Sequence, residues 1–398
     1  MDPLPRWNMK NLQRAWILGL ALFASTSGLF AQGDTKVKFD TVDGVTLRGN
    51  LYISAKGDKA PTILMLHPLN NVKEKKPGDQ MMDGWQELAK ELHKAGYSVL
   101  TFDFRGHGDS TSVSQSFLRN AYPWNTTLVK VRRDIAALSS RDFKPGYQPH
   151  LVDDVAAAKT FLNSKGQVNS ANLIVLGAGE GATLGALWMA SETKRRQGDV
   201  QTTMVTLLPT LPVPRDFFEP ESRDLLAGIL LSPVHLMGGK QMPVGNWVKD
   251  ITAKRSKERT QLLFVYGGKD ANMDKQILGY LKSIRPGFTK KKDGTITVTR
   301  STLGSGLDNT VDLKLDSKDQ GAALIPGGEV SGYLTKTWLP SLTANLTLRE
   351  PDQKEGKNRY YYWVRENMGK VVPGSQIPAQ MKDDDSQRPI PLQLFGIN

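Results

Sequence analysis

The sequence predicts an α/β fold: a mostly parallel sheet with helices on both faces, an antiparallel hairpin at its N-terminal edge and a β extension at its C-terminal end. Three observations predict it. Strand-length apolar runs alternate with stretches of helical spacing along most of the chain. The runs "PTILMLHP" and "NLIVLG" are continuously apolar, as strands buried on both faces are. By contrast, "KVKFDTVDGVTLRGNLYIS" alternates apolar and polar positions on both sides of Asp43-Gly44, the pattern of a hairpin with one solvated face.

In chain order, the hairpin comes first, its two strands joined at Asp43-Gly44, a pair that favours a tight turn. "PTILMLHP" is the next strand. Trp85, Leu88, Ala89 and Leu92 recur at helical spacing, and Gly96 closes that helix. "YSVLTFDF" is a strand ending in the glycine-rich loop "RGHGDS". Residues 111–150 have weak periodicity and polar runs around "AYPWNTT" and "RDFKPGYQPH", the mark of a loop or lid-type insertion. "LVDDVAAAKTFLNSKG" is a helix whose opening acids, Asp153 and Asp154, suit the positive end of the dipole as capping residues. "NLIVLG" is a strand, and "GATLGALWMASETKRR" is a helix with basic residues in its last turn. After a Pro-rich excursion around 209–220, "LLAGILLSP", "TQLLFVYGG" and "TITVTRSTLG" supply three further strands, with "DKQILGYLKSI" helical before the last. "GYLTKTWLPSL" is a closing helix. Beyond it "TANLTLRE" and "NRYYYWVRE" read as a hairpin, Tyr360 to Trp363 forming a strand with one buried face, and the tail with Asp383 to Asp385 reads as loosely ordered.

A chain of 398 residues with 39% hydrophobic residues can bury a large core. Residues 1–31 stand apart: Arg6, Lys10 and Arg14 precede the apolar run from Ala15 to Ala24, and small residues follow. That is the layout of a secretory signal peptide, with cleavage expected after Ala31 and export to a periplasmic or extracellular space. The alternative, an uncleaved anchor, is disfavoured because the run falls short of the roughly 20 residues a membrane span needs. The remaining chain divides into a main domain at 37–342 and a C-terminal extension at 343–398. Cysteine is absent, which excludes disulfides, thiolate metal sites and a cysteine nucleophile. The net charge of +12 is scattered, with short clusters such as Lys290 to Lys292 next to an expected Asp293-Gly294 turn. It reads as a solvated basic surface, not a nucleic-acid site, and a polyanion-binding surface protein is the reading it leaves open.

The stretch "LIVLGAGEGATLG" at 173–185 fits two unrelated turns. Gly177, Gly179 and Ala182 satisfy the phosphate-cradling G-x-G-x-x-G/A, and Gly177 and Gly181 satisfy the nucleophile turn G-x-S-x-G with glycine in the serine position. Chain order decides. A dinucleotide turn belongs to the first βαβ unit and needs an acid closing the next strand, whereas strands precede this one and Asp199 lies before the following apolar run.

With the leading hairpin, His67-Pro68 after a strand, "RGHGDS", "GAGEGA" and "VYGGKD" in this order, residues 37–342 resemble the α/β-hydrolase family of serine esterases, serine aminopeptidases and dienelactone hydrolases. The resemblance implies a serine nucleophile on the elbow, an acid after a late strand and a histidine base after the last strand, in that chain order. It puts the nucleophile position at Gly179, the acid at Asp270 and the base near Leu307, and it marks His67, Glu180 and Gly181 as binding positions, the Glu180 N–H as half of an oxyanion hole. Glycine has no nucleophile to offer. The chain has five histidines, and the last, His235, precedes Asp270. The triad is therefore degenerate: two members of three are missing, and they are the two that exchange the proton. The expectation is a catalytically inactive, ligand- or partner-binding relative of serine hydrolases, with no cofactor and no metal. The alternative is an active hydrolase of esters or amides with a non-standard site. For that role Glu180 lacks an activating base and otherwise reads as a solvated turn residue, Thr183 reads as packed in the helix, and Ser305, Asp308 and Asp270 are too scattered to hold a metal.

Overall fold

The computed structural model describes residues 34–70, 84–119, 123–130, 137–198, 221–252, 260–284, 288–290, 296–298, 310–344, 348–349, 359–363, 371–372, 390 and 392–397. The leader at 1–31, the Pro-rich excursion, Ser305, Leu307, Asp308 and the Asp383–Asp385 run lie outside them.

Eight strands form the main sheet: β1 (Thr35–Asp40), β2 (Thr46–Tyr52), β3 (Pro61–Leu66), β4 (Ser98–Phe102), β5 (Asn169–Ala178), β6 (Leu225–Leu231), β7 (Gln261–Gly267) and β8 (Thr310–Leu315). Their spatial order is β1-β2-β4-β3-β5-β6-β7-β8. β2 is antiparallel to both β1 and β4, and every pair from β4 to β8 is parallel. The helices are α1 (Trp85–Lys94), α2 (Val152–Asn163), α3 (Glu180–Lys194), α4 (Val244–Ile251) and α5 (Ala271–Ile284), with a closing helical run over 329–344.

Alternation along the central strands divides the core in two. Leu64, Leu66, Leu173, Val175, Leu230 and Phe264 pack with α2, α3 and α4. Ile63, Met65, Ile174, Leu176, Ile229 and Val265 pack with α1 and the closing helical run. Since successive strand side chains point to opposite faces, a strand clothed by helices on both sides must be apolar at every position. β3 and β5 are buried at every residue. The mostly parallel sheet with helices on both faces and the N-terminal hairpin are thus as expected.

Several local expectations are corrected. The hairpin turn is wider than a two-residue Asp-Gly turn: the strands stop at Asp40 and resume at Thr46, and the Thr41 hydroxyl donates to Asp43 (2.6 Å) and accepts from the Val45 N–H (2.9 Å). α3 ends at Lys194, and Arg195–Gly198 is a strand, paired antiparallel with Arg359–Tyr362. Residues 359–363 pair there and with Val371–Val372; most of the expected partner, "TANLTLRE", lies outside the described residues or in the closing helical run. Ile296–Val298 does not join the main sheet; it pairs with Phe288–Lys290 in a local hairpin, and the last sheet strand is "TVDLKL". α4 went unread, although Val244, Trp247, Val248 and Ile251 are buried at helical spacing.

Two segments are held more tightly than their sequences suggest. Within 111–150, Phe117, Asn125 and Tyr147 are fully buried. The tail returns to the body: Ile390, Leu392, Phe395 and Ile397 are buried, the Trp247 indole N–H donates to the Phe395 carbonyl (2.9 Å), and the Ile390 N–H donates to Asp153 (2.9 Å). Residues Asp34–Asn398 form one unit. No helix among the described residues is long and apolar enough to cross a membrane.

The two acids opening α2 are not caps. Asp154 accepts from the Arg105 N–H (2.9 Å) and Nε (2.7 Å), and Asp153 receives the tail. Burial drives the Asp153 carboxyl well above the usual carboxylate range, against the opposing pull of the Ile390 hydrogen bond and Arg105. A carboxyl raised in the folded state destabilises the fold once pH passes its unfolded value, up to the raised one. Asp153→Asn keeps an acceptor for Ile390 and removes that charge. It should therefore gain stability at pH 7–8 and change little at pH 4, measured as urea midpoints at both pH values; an equal loss at both would show that the carboxylate itself is required.

Candidate functional site

β5 runs straight into α3 through a single residue, Gly179, at φ 56° and ψ −121°. That region of backbone space is open to glycine and costs other residues about 1–3 kcal/mol. Its flanking glycines serve a different need. A Cβ on Gly177 would stand 2.6 Å from the Ala182 Cα, and one on Gly181 would stand 2.3 Å from the Leu66 carbonyl oxygen. Both let the helix close tightly on the sheet. A Cβ on Gly179 would meet only the Pro68 Cβ, at 3.3 Å. The turn has room for a side chain there, and none is present.

Asp270 follows β7 as expected. One carboxylate oxygen accepts from the Asn272 and Met273 N–H groups (2.9 and 3.2 Å), capping α5, and the other accepts from the Gln320 amide at 3.3 Å. Gln320 follows β8 and is the residue that the sequence reading missed. Its Nε2 also donates to the Gly267 carbonyl (3.3 Å), and its Oε1 accepts from the Ser232 hydroxyl (2.5 Å). The next residue, Gly321, abuts the elbow: a Cβ there would be 3.4 Å from the Gly179 nitrogen. The loop that meets both the elbow and the acid carries Gln320; the expected base position near Leu307 lies outside the described residues.

Ser232, after β6, has φ 46°, the one non-glycine residue with positive φ among those described. Its N–H donates to Val265 (2.9 Å), and the Gly179 N–H donates to Leu231 (2.9 Å), so the ends of β5, β6 and β7 are laced together.

The other marked residues have defined places. His67 is fully buried; Nδ1 donates to the Pro68 carbonyl (2.7 Å) and Nε2 accepts from the Phe104 N–H (3.1 Å). Burial, reinforced by His107, holds it neutral with a pKa of about 3. Both ring nitrogens are spent on the backbone, so His67 braces two loops. Gly181 is a packing position, as its contact with Leu66 shows. Thr183 is packed, its hydroxyl donating to the Val234 carbonyl (2.8 Å). Glu180 is not a solvated turn residue: only 9% of it is exposed, one carboxylate oxygen accepts from the Leu69 N–H (3.2 Å) and the other from the Asn70 amide. Of the histidines, His235 contacts Gln276 and His107 bonds the Arg105 carbonyl. None of the five hydrogen-bonds Asp270. Among the described residues no group of three His, Asp or Glu is placed to hold a metal ion.

A cavity of about 200 Å³ opens beside Leu69 and Asn70, walled by His107 and by residues 140–151, including Phe143 and Tyr147. These two rings stack at 4.5 Å.

The parallel sheet, its leading hairpin and the strand–elbow–helix turn at Gly179 define the class: an α/β-hydrolase fold. No family model matches the chain. A thiohydrolase of Aspergillus aculeatus is 40% identical over 76 residues, 19% of this chain and 21% of that protein, so the chain spans about a fifth of the length of the curated relative it matches. Among solved structures, an esterase of Pyrococcus furiosus matches 84% of this chain and 96% of its own at 13% identity and a TM-score of 0.44. Est1E of Butyrivibrio proteoclasticus matches 78% and 99% at 13% identity and 0.43. A dienelactone hydrolase of Anabaena variabilis matches 63% and 81% at 12% identity and 0.35.

The glycines of the turn separate by substitution. Gly179→Ala should cost about 1–3 kcal/mol through φ alone, whereas Gly181→Ala, whose Cβ collides with two backbone carbonyls, should cost more and lower soluble yield. Denaturation midpoints decide, and equal losses would refute the assignment of distinct roles.

Proposed function

We propose that this chain is an α/β-hydrolase-fold protein that no longer carries out serine-type acyl transfer and works by holding a small ligand or a protein partner. The observation that carries this reading is Gln320, an amide bonded to Asp270 where a proton-exchanging base would stand. An imidazole can take a proton from a hydroxyl and return it to a leaving group; a carboxamide is not basic enough to do either. With Gly179 there is no hydroxyl at the elbow to deprotonate. Serine hydrolases deprived of triad members keep about 10³–10⁴-fold over water from binding and the oxyanion hole, far below useful turnover.

The purified protein should show no labelling by a fluorophosphonate and no turnover of short acyl esters or thioesters above that residual level. Labelling at any one residue would sink the reading. The double variant Gly179→Ser/Gln320→His is the companion test, expected to acquire labelling at position 179, because the turn has space for the side chain and Asp270 already faces position 320.

Export is proposed from the leader at 1–31, and a secreted product whose sequence begins at Gln32 is the expected result.

A further inference from the structure

The small sheet that joins Arg195–Gly198 to the C-terminal extension has two unlike faces. Its strands lie in the order Val371–Val372, Arg359–Trp363, Arg195–Gly198, and both pairings are antiparallel. Residues directly opposite each other in such a ladder share a face, and so do alternate residues along one strand. The register sets Tyr362 opposite Arg195 and Tyr360 opposite Gln197 on one face. Arg359, Tyr361 and Trp363 occupy the other, with Gly198 opposite Arg359, Arg196 opposite Tyr361 and Val371 opposite Trp363.

The first face belongs to the body of the protein. Arg195 is 8% exposed, and its guanidinium is paired with Glu192 of α3 at 2.9 Å. A strand rich in aromatic residues needs one packed face, and the positions of Tyr360 and Tyr362 supply it. Packing on α3 therefore does not account for Tyr361 and Trp363. Their face also holds Arg196 and Arg359, and none of its paired positions is acidic.

Flat rings take sugar rings or bases by stacking, and an arginine fork meets a carboxylate or sulfate through two parallel bonds. Alternate residues on one strand stand about 7 Å apart, so cations and rings follow one another along a track instead of enclosing a point. Such a track, on a chain with a net charge of +12, suits an extended anionic polymer better than a compact anion.

We propose that the face carrying Arg196, Arg359, Tyr361 and Trp363 binds an acidic polysaccharide. The choice of a polysaccharide over a nucleic acid rests on the export proposed above, since acidic glycans are the polyanions a secreted chain meets. The surface lies on the extension and is independent of the elbow.

The test uses the full protein, with a heparin oligosaccharide as the probe, dextran as the neutral polymer and single-stranded DNA as the rival polyanion, titrated by calorimetry at physiological salt. Heparin should bind and dextran should not. Arg196→Ala/Arg359→Ala should weaken heparin by about tenfold or more, because two charge-assisted contacts are lost. Tyr361→Ala/Trp363→Ala should weaken it by about fivefold or more with the salt dependence unchanged, because a stacking contact carries no charge. Lys36→Ala/Lys38→Ala, which removes the same charge from exposed positions on β1, should change it little. Equal losses in the lysine and arginine pairs would show attraction to the basic surface at large and overturn the proposal. So would heparin affinity unchanged by the aromatic pair, or tighter binding of DNA than of heparin. Circular dichroism melts check that the variants fold. Should an alanine pair fail to fold, Arg196→Lys/Arg359→Lys, which keeps the charge and loses the forks, decides: weaker heparin binding supports the proposal and unchanged binding overturns it. Heparin binding through this face by a chain that keeps its leader would overturn export and leave the surface standing; a secreted chain that ignores heparin would do the reverse.

Discussion

Arg105 is buried to 1% exposure with its charge intact, and the loops around the site depend on how that charge is met. Asp43 lies 2.5 Å from one guanidinium nitrogen and Asp154 lies 2.6 Å from another, while the Tyr147 hydroxyl accepts at 2.8 Å and itself donates to Asn125. One side chain thereby fastens the hairpin loop, the loop after β4, the 111–150 segment and the start of α2. Burial alone would raise the Asp43 carboxyl; Arg105 and the hydrogen bonds from Thr41 and Asn125 hold it below the usual carboxylate range. Such a cluster contributes little net stability when whole, but losing one partner strands a buried charge at about 3–5 kcal/mol. Its value is positional. Tyr147 and the neighbouring 140–151 backbone form the wall of the cavity, and they stand where they do because the cluster leaves them no other partner of equal strength.

The ends of the central strands show the same logic in neutral groups. Gln320 satisfies Gly267, Asp270 and Ser232 at once, so the loop after β8 is pinned to the ends of β6 and β7. A histidine has two nitrogens in a fixed ring and exchanges one proton; glutamine has a flexible amide that offers donors and an acceptor without changing charge. Replacing one by the other turns a relay into a fastening. The acid keeps a second task independent of catalysis, since capping α5 requires a carboxylate oxygen whether or not a base is beside it. Asp270 thus has a structural role whatever the chemistry of the site.

Legibility in the sequence followed the strength of local signals. Continuous apolar runs gave β3 to β7, because a strand covered on both faces leaves no other pattern. β8 was missed because "TVDLKL" carries an acid and a base between its apolar residues, while "TITVTR", richer in β-branched residues, resembled a strand of the main sheet; its Ile296–Val298 is a local hairpin arm. Gly179 and Asp270 were marked by the resemblance of their motifs, whereas Gln320 carries no motif and is visible only once the sheet is closed. The Asp43, Asp154 and Glu180 roles were invisible for a related reason: each is decided by a partner 49 to 111 residues away.

Why the elbow should persist without its serine follows from what its glycines do. Gly177 and Gly181 are required by the distance between α3 and the β3–β5 sheet, and that distance is set by the two-sided core, not by chemistry at the turn. Leu184, Ala186, Leu187 and Trp188 on α3 are fully buried, so a helix shifted to relieve the turn would open cavities beneath side chains of that size. The chain must therefore pass from β5 to α3 in one residue at positive φ. Serine can stand there only at a strain cost that a nucleophile justifies, and glycine removes that cost. Gly179 is the residue the fold itself prefers, and the turn is the joint that holds Glu180 over the Leu69–Asn70 loop.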